Sequence, residues 1–382
     1  MDILHTIFAA IGYILPFLIV LSVVVVLHEL GHYWVARWNG VGVTDFSVGF
    51  GPELFGVNDK HGTRWKVCAI PLGGFVKMLG DSDAASRPDQ KSMKKASKAE
   101  QQKMIHLKKP WQRILVSVAG PVANFITAML FFAMVFATVG KKELDPVVGQ
   151  VIEGGAADMT GMKAGDRIIS ILPLEEDKKI QPIAIKNFRD VIKAVHNNID
   201  HKLIIKVKRN EVEYDLIAQP RPSTDAGTTV PGIGIMPMQK VYGVGAAIIE
   251  AAKFTVELIG RIFTGLYNMV TGSEDASSLG GMFSIAKGAK DFSDQGVFAL
   301  FEFIAVLSVS LGVLNLLPVP MLDGGHVLFC MIEWIRGKPV PEKIQEISFK
   351  IGLYLLLALM VFAHWNDVKR FGFIDKILKV FS

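Results

Sequence analysis

The sequence is short of cysteine and of charge. Its 382 residues include two cysteines, Cys68 and Cys330, which are too few for a disulfide framework. Charged residues make up 20% of the chain, below the roughly 25% of an average soluble domain, whereas hydrophobic residues reach 51%. The net charge of +5 is too small to indicate a nucleic-acid partner. The low cysteine count excludes a disulfide scaffold, and the low content of charged residues argues against a wholly soluble protein.

Charge is absent altogether from two hydrophobic stretches, residues 8–27 and 114–139. Each is long enough to cross a bilayer core of about 30 Å, which takes roughly 20 helical residues. A third stretch, residues 303–322, is interrupted near its end by two prolines, and a weaker fourth covers residues 351–365. A buried core helix is the alternative for the fourth. The pattern predicts a polytopic α-helical membrane protein with about four transmembrane helices.

The distribution of charge predicts how these spans are oriented. Residues 28–113 contain 14 Lys and Arg against 8 Asp and Glu, whereas residues 140–297 contain 19 against 20. Basic segments stay in the cytoplasm under the positive-inside rule. We therefore expect residues 28–113 to be cytoplasmic and residues 140–297 to lie outside the cytoplasm. Both cysteines then face the reducing side, where a disulfide is not expected.

Residues 144–222 have the short β-rich runs of a soluble module. We predict strands over 146–152, 203–207 and 212–218 and a helix over 188–197. The run from Gly154 to Ile168, which contains Ala164-Gly165-Asp166, resembles the signature of bacterial PDZ domains. A PDZ domain binds an extended peptide by strand addition and is therefore a recognition device. A generic α+β insert without a ligand is the alternative.

Two further segments have an amphipathic pattern. Within the helical stretch 241–271, Lys253, Glu257 and Arg261 recur every four residues, so one face is polar. We interpret this stretch as an amphipathic helix on the outer membrane surface and not as a fifth span. The tail, residues 367–382, mixes basic and apolar side chains and is typical of an interfacial helix.

A metal-binding pattern follows the first hydrophobic stretch: His28-Glu29-Leu30-Gly31-His32. Histidines four residues apart on a helix point to one place. The HExxH pattern supplies two zinc ligands and a general base that takes a proton from the attacking water. Ionisable residues at the edge of an uncharged span are functional by default. Two purely structural histidines are the alternative.

Two histidines leave a catalytic zinc one protein ligand short. Asp323 is the best candidate, because two prolines and two glycines break the third helix around it. Irregular backbone at membrane depth is tolerated where it lines a protein cavity. His326 is the rival ligand, and Cys330 follows it by four residues. The remaining histidines show no ligand spacing: His5, His61, His106, His196, His201 and His364.

Taken together, these motifs resemble the site-2 protease family of intramembrane zinc metalloproteases, in its bacterial RseP-like branch. The matching pieces are His28 to His32, Pro71 to Met78, Gly120-Pro121-Val122-Ala123-Asn124-Phe125, Ser284 to Ala289, and Asn315 to Gly325. The best-known members carry two tandem PDZ modules, whereas this chain has room for one.

The resemblance implies a zinc protease that cleaves transmembrane segments during regulated intramembrane proteolysis. His28, His32 and Asp323 would bind Zn²⁺, and Glu29 would be the catalytic base. Asn315, Gly73 and Gly74 would contact substrate, the glycines within a membrane-associated β-hairpin. The implied partners are the lipid bilayer and single-pass substrates, such as anti-sigma factors or signal-peptide remnants. The enzyme would reside in the bacterial inner membrane, with its active site toward the cytoplasm and its PDZ domain in the periplasm.

The predicted order of segments is 1–40 (first span with HExxH), 41–80 (β-hairpin), 81–113 (basic cytoplasmic loop), 114–140 (second span), 144–222 (PDZ), 223–297 (periplasmic amphipathic helices), 298–326 (third span with the Asp323 motif), 347–366 (fourth span) and 367–382 (tail). Two other functions remain open. One is a membrane-anchored PDZ scaffold with an inactive metal site, and the other is a metal transporter.

Overall fold

A computed structural model describes residues 2–83, 86–174, 181–220 and 232–372. The helices are α1 (Asp2–Trp38), α2 (Gln90–Lys95), α3 (Lys98–Gln101), α4 (Pro110–Thr138), α5 (Ala156–Met159), α6 (Phe188–His196), α7 (Val244–Thr271), α8 (Met282–Asp294), α9 (Val297–Leu316), α10 (Asp323–Arg336) and α11 (Glu342–Arg370). The strands are β1 (Val43–Asn58), β2 (Arg64–Met78), β3 (Lys141–Lys142), β4 (Val148–Val151), β5 (Arg167–Leu174), β6 (Ile183–Ala184), β7 (Lys202–Arg209), β8 (Val212–Ala218), β9 (Ile235–Pro237) and β10 (Gln239–Lys240).

The chain divides into two compact units. The first contains Met1–Ala133 and Ile248–Ser382, and the second contains Met134–Ala247. Two short 3₁₀ turns, Ile105–Leu107 and Ala276–Ser278, belong to the first unit.

Four described helices are long and apolar enough to cross a membrane. The candidate spans are Ile11–Trp38, Pro110–Thr138, Val297–Leu316 and Lys343–Arg370. They lie in α1, α4, α9 and α11, and α7 is not among them. The prediction of a polytopic helical membrane protein is confirmed.

The third span is shorter than the sequence indicated. We predicted it over 298–326, but α9 ends at Leu316. Leu317 is extended, with ψ of 141°, because a residue that precedes a proline is kept out of the helical region. The chain then turns and begins α10 at Asp323. This break separates the end of a span from the start of a second helix, with the candidate ligand at the junction.

The β1–β2 hairpin is an antiparallel sheet folded back on itself. Phe46 near the start of β1 pairs with Val76 on one side and with Trp65 on the other. The start of β1 is therefore an inner strand, and among the described residues the segment 74–78 pairs with β1 alone and forms an edge. The sheet is attached to α1, because Asp59 accepts hydrogen bonds from Tyr33 Oη and Trp65 Nε1, both at 3.1 Å.

The amphipathic stretch after the second unit forms α7 and α8. On α7, Glu257 pairs with Arg261 and Glu250 pairs with Lys253, so its charges are matched along the polar face. α8 packs Ala289 and its neighbours into a core with Val20 and Ile304 of α1 and α9. Of the predicted interfacial tail, residues 373–382 lie outside the described part of the chain.

The second unit has a four-stranded antiparallel sheet in the order β6-β5-β7-β8, with α6 contributing to its core. The Gly-Asp of the predicted signature has a structural role: Asp166 is buried and accepts hydrogen bonds from the Lys163 amide and from Arg209. Burial raises the pKa of Asp166, but these hydrogen bonds outweigh burial and hold it below its ordinary value.

The second unit also extends past residue 222, where the predicted module ended. Strand β9 pairs with β4, and Ile233 and Ile235 are fully buried in the same core as Val148. Strand β10 pairs with β3, so the chain enters and leaves this unit through neighbouring strands.

Candidate metal centre

The last turns of α1 carry the HExxH residues. His28 and His32 are buried, with 6% and 8% of their surfaces exposed. Their ring centroids lie 4.8 Å apart, as expected for side chains one turn apart on one face of a helix. Glu29 lies on the adjoining face, next to the edge of the hairpin, where a Cβ on Gly74 would be 3.6 Å from Glu29 Cγ.

The turn between α9 and α10 brings Asp323 to the two histidines. The turn is tight: a Cβ on Gly324 would lie 2.3 Å from the Leu316 carbonyl oxygen, so only glycine fits there. Met321 has φ of 86°, a strained conformation for a residue with a side chain. The surrounding packing therefore holds this backbone in one shape, with Asp323 as the first residue of α10.

Three potential ligand atoms meet at one point. His28 Nε2 lies 3.2 Å from His32 Nε2 and 3.3 Å from Asp323 Oδ2, and His32 Nε2 lies 3.4 Å from Asp323 Oδ1. Among the described residues, His28, His32 and Asp323 form the one group of such side chains that could hold a metal ion. Residues that are far apart in the sequence thus place their ligand atoms within 4.8 Å of one another.

The chemistry of these three groups fits zinc. Two imidazole nitrogens and one carboxylate are a donor set found in catalytic zinc sites. Asp323 Oδ2 is buried without a hydrogen-bond partner among the described residues, which is costly unless a cation lies beside it. The residues present therefore match what a zinc ion requires.

Helix α4 forms the wall behind the histidines. His32 Nδ1 lies 2.7 Å from the Val116 carbonyl oxygen, and Asn124 Nδ2 lies 3.1 Å from His28 Nδ1. Between these two positions, a Cβ on Gly120 would lie only 2.3 Å from His32 Nε2. The absence of a side chain at Gly120 therefore makes room for the imidazoles.

We predict that Gly120→Ala removes zinc and activity together. The added methyl group cannot coexist with the present position of His32, so the ring must move away from the centre. Zinc content of the purified chain, measured by atomic absorption, checks this. The matched control is Gly265→Ala on α7, where nothing lies within 4 Å of the added Cβ. Full zinc occupancy in Gly120→Ala would show that α4 can accommodate a methyl group at this position without displacing His32.

Of the three residues predicted to contact substrate, Asn315 lies at the metal centre, whereas Gly73 and Gly74 lie within the hairpin. Asn315 Nδ2 lies 3.3 Å from His28 Nε2, so this side chain is at the metal centre. Gly73 has φ of 137° and lies against the Phe50 ring, and a Cβ on Gly74 would be 2.7 Å from the Ser47 carbonyl oxygen. Both glycines are thus required by the packing of the hairpin itself, and their contact with substrate stays a prediction.

The rival ligand His326 is not part of the three-residue group. Its ring packs against Phe349, with 5.6 Å between centroids, although it lines the same cavity of about 230 Å³. Cys330 and Cys68 are buried free thiols. Of the histidines without ligand spacing, His106 has a specific partner, since its Nε2 lies 2.8 Å from Asp81 Oδ1.

Sequence reasoning did not assign roles to Val116, Gly120 or Asn124 individually. Their spacing of four residues on one uncharged helix was a usable signal, because such positions share a face. Sequence reasoning also missed the ion pair between Arg113 on α4 and Glu333 on α10, whose charged atoms lie 2.7 Å apart, since no local pattern links these residues. This ion pair joins the helix behind the histidines to the helix that begins with Asp323.

A model of peptidase family M50 matches residues 16–359. The chain belongs to this family. It is 41% identical over 369 residues to a protein of Agrobacterium fabrum named "Putative zinc metalloprotease", covering 94% of this chain and 96% of that protein. It is 34% identical over 386 residues to "Metalloprotease MmpA" of Caulobacter vibrioides, covering 93% and 94%. The M50 match therefore includes both the HExxH residues of α1 and the Asp323 turn, and the expected resemblance to zinc proteases is confirmed.

Proposed function

We propose that this chain is an intramembrane protease that cleaves the transmembrane segments of single-pass membrane proteins. As a member of family M50 it is a zinc metalloprotease. The observation that supports the finer proposal is the position of the centre: His28 and His32 lie within the candidate span Ile11–Trp38, and Asp323 follows the candidate span Val297–Leu316. A centre built from membrane helices is suited to a substrate that is itself in the membrane.

In the proposed mechanism, the chain positions the substrate carbonyl beside the three ligands and Glu29 handles the proton. Zinc held by His28, His32 and Asp323 would polarise the scissile carbonyl and acidify the attacking water. Glu29 takes the proton from that water and passes it to the leaving amine. The Asn315 amide, next to His28, is placed to donate a hydrogen bond to the oxygen of the tetrahedral intermediate.

The edge of the hairpin offers a way to hold an unwound substrate. The backbone groups of a helix are bonded internally, so the scissile bond becomes accessible only after local unwinding. The segment 74–78 is a sheet edge that passes beside Glu29, and Gly74 and Val76 line the same cavity as the ligands. We propose that the substrate adds to this edge as a strand, which presents its backbone to the centre.

The proposed location is the bacterial inner membrane, with the centre near the cytoplasmic side. The excess of Lys and Arg over residues 28–113 supports this orientation. The second unit would then be periplasmic and would act as a PDZ-like filter. It would exclude substrates with a bulky outer domain and admit them after a first protease has trimmed that domain. Anti-sigma factors and signal-peptide remnants are the proposed substrate classes.

A reconstituted cleavage assay tests the proposed function. The purified chain is placed in vesicles with a single-pass model substrate and is assayed as prepared, after zinc removal by a chelator, and after zinc is restored. We expect cleavage in the first and third states only. Zinc binding without cleavage of any membrane substrate would instead support a PDZ scaffold, and zinc transport across the vesicle would support a transporter.

We predict that removing the second unit loosens substrate selection without removing catalysis. Because β3 and β10 are paired neighbours, residues 143–238 can be replaced by a Gly-Ser linker of about six residues. The shortened enzyme should cut substrates with and without their outer domain at similar rates. Its matched control carries Glu29→Gln in addition and should cut neither. A shortened, active enzyme that still requires trimming would contradict the filter.

A further inference from the structure

Helix α4 supplies no ligand, yet it contacts the rear nitrogen of each histidine. Val116 faces His32 Nδ1 at 2.7 Å, and Asn124 faces His28 Nδ1 at 3.1 Å. These residues are eight positions apart on the helix, and Gly120 lies midway between them, so all three share one face. This face therefore contacts both imidazole rings.

The contact at His32 fixes the state of that ring. A carbonyl oxygen can only accept a hydrogen bond, so Nδ1 of His32 carries the proton and donates it to Val116. In the neutral ring, which is the form that binds a metal, Nε2 of His32 is then left with a free electron pair directed at Asp323 and the centre. This is the usual way in which a second hydrogen bond orients a metal-binding histidine.

His28 must be in the same state, because its Nε2 also points at the centre, 3.3 Å from Asp323 Oδ2. Its Nδ1 therefore needs an acceptor, and the side chain at that position is Asn124, which is fully buried. With the amide nitrogen facing the ring, Asn124 Oδ1 is buried without a hydrogen-bond partner among the described residues. A half-turn of the amide exchanges its oxygen and nitrogen, and Oδ1 then accepts the Nδ1 proton.

We propose that Asn124 is a positioning residue for the metal centre. Its side-chain oxygen accepts the hydrogen bond from His28 Nδ1, which keeps Nε2 unprotonated and aimed at the metal. Asn124 and the Val116 carbonyl thus have the same role: each accepts a hydrogen bond from Nδ1 of one histidine, Asn124 through its side chain and Val116 through its backbone. The proposal concerns the centre of the proposed protease but requires only that the centre binds zinc.

The expected effect is a loss of zinc affinity. Outer hydrogen-bond partners of metal-binding histidines contribute about 10- to 100-fold to metal affinity. Asn124→Leu, which keeps the approximate size but has no acceptor, should weaken zinc binding by that factor. Asn124→Asp keeps an oxygen acceptor and should bind zinc within about threefold of the original chain. The dissociation constant is measured on the full purified chain by competition with a chelating dye.

Two controls separate positioning from damage to the fold. Thr127→Val alters another buried polar residue of α4 that makes none of the described hydrogen bonds to His28 or His32, and it should not change zinc affinity. Thermal unfolding of the zinc-free variants should give melting temperatures close to that of the original chain. Asn124→Ala is the second test variant if the leucine disturbs packing, and it should show the same loss.

Unchanged zinc affinity in a folded Asn124→Leu or Asn124→Ala chain would overturn the proposal. So would a loss in Asn124→Asp as large as in Asn124→Leu, since the acceptor would then be irrelevant. Because zinc binding is measured without substrate, a chain that binds zinc but cleaves nothing would refute the proposed function and leave this inference standing.

Discussion

Replacing Glu29 with glutamine is expected to lower the cleavage rate by about 10³-fold, near the middle of the range for general acid–base catalysis. Glutamine has nearly the same shape as glutamate but cannot accept a proton. The groups that could hold the metal are His28, His32 and Asp323, and all three are unchanged in this variant, so zinc content should remain that of the original chain. A loss of turnover without a loss of zinc identifies a base and distinguishes it from a ligand.

The control for Glu29→Gln is the same substitution at a glutamate outside the metal centre. Glu257 on α7 is exposed and pairs with Arg261 one turn along the same helix, so Glu257→Gln should cleave substrate at the original rate. A cleavage rate in Glu29→Gln equal to that of the original chain would show that Glu29 is not the catalytic base. Loss of zinc in that variant would instead make it a ligand.

Asp323→Ala is expected to remove both zinc and activity. Among the described residues, the aspartate is the one carboxylate in the group of possible metal ligands with the two histidines. Losing a direct ligand should cost more than losing an outer hydrogen bond, so zinc affinity should fall by more than about 100-fold. Metal content after dialysis and the dissociation constant from chelator competition measure the effect.

His326→Ala is the matched control for Asp323→Ala. His326 lies one turn further along α10 and packs against Phe349, so its removal should leave zinc bound. The opposite pair of results, zinc retained in Asp323→Ala and lost in His326→Ala, would make His326 the third ligand.

The parts of the site that follow from local spacing were accessible from the sequence. His28, Glu29 and His32 are related by the helical period, and a helix places them correctly wherever it lies. Asp323 was also accessible because the prolines and glycines around it signal a broken helix. The sequence did not show that α9 ends at Leu316, since hydrophobicity continues through the turn.

The contribution of α4 depends on tertiary contacts that leave little trace in the sequence. The group that holds His32 is the backbone carbonyl of Val116, and any residue there would supply it. The end of the second unit was missed for a similar reason. Strand β9 is only three residues long, and its place in the core is set by pairing with the distant β4.

The position of the scissile bond tests the central claim most directly. A single-pass model substrate is cleaved in vesicles by the original chain and by Glu29→Gln, and both fragments are sized by mass spectrometry. The account predicts one cut inside the apolar segment, toward its cytoplasmic end, by the original chain and none by the variant. A cut outside the apolar segment, or the same fragments from Glu29→Gln, would contradict an intramembrane metalloprotease centred on His28, His32 and Asp323.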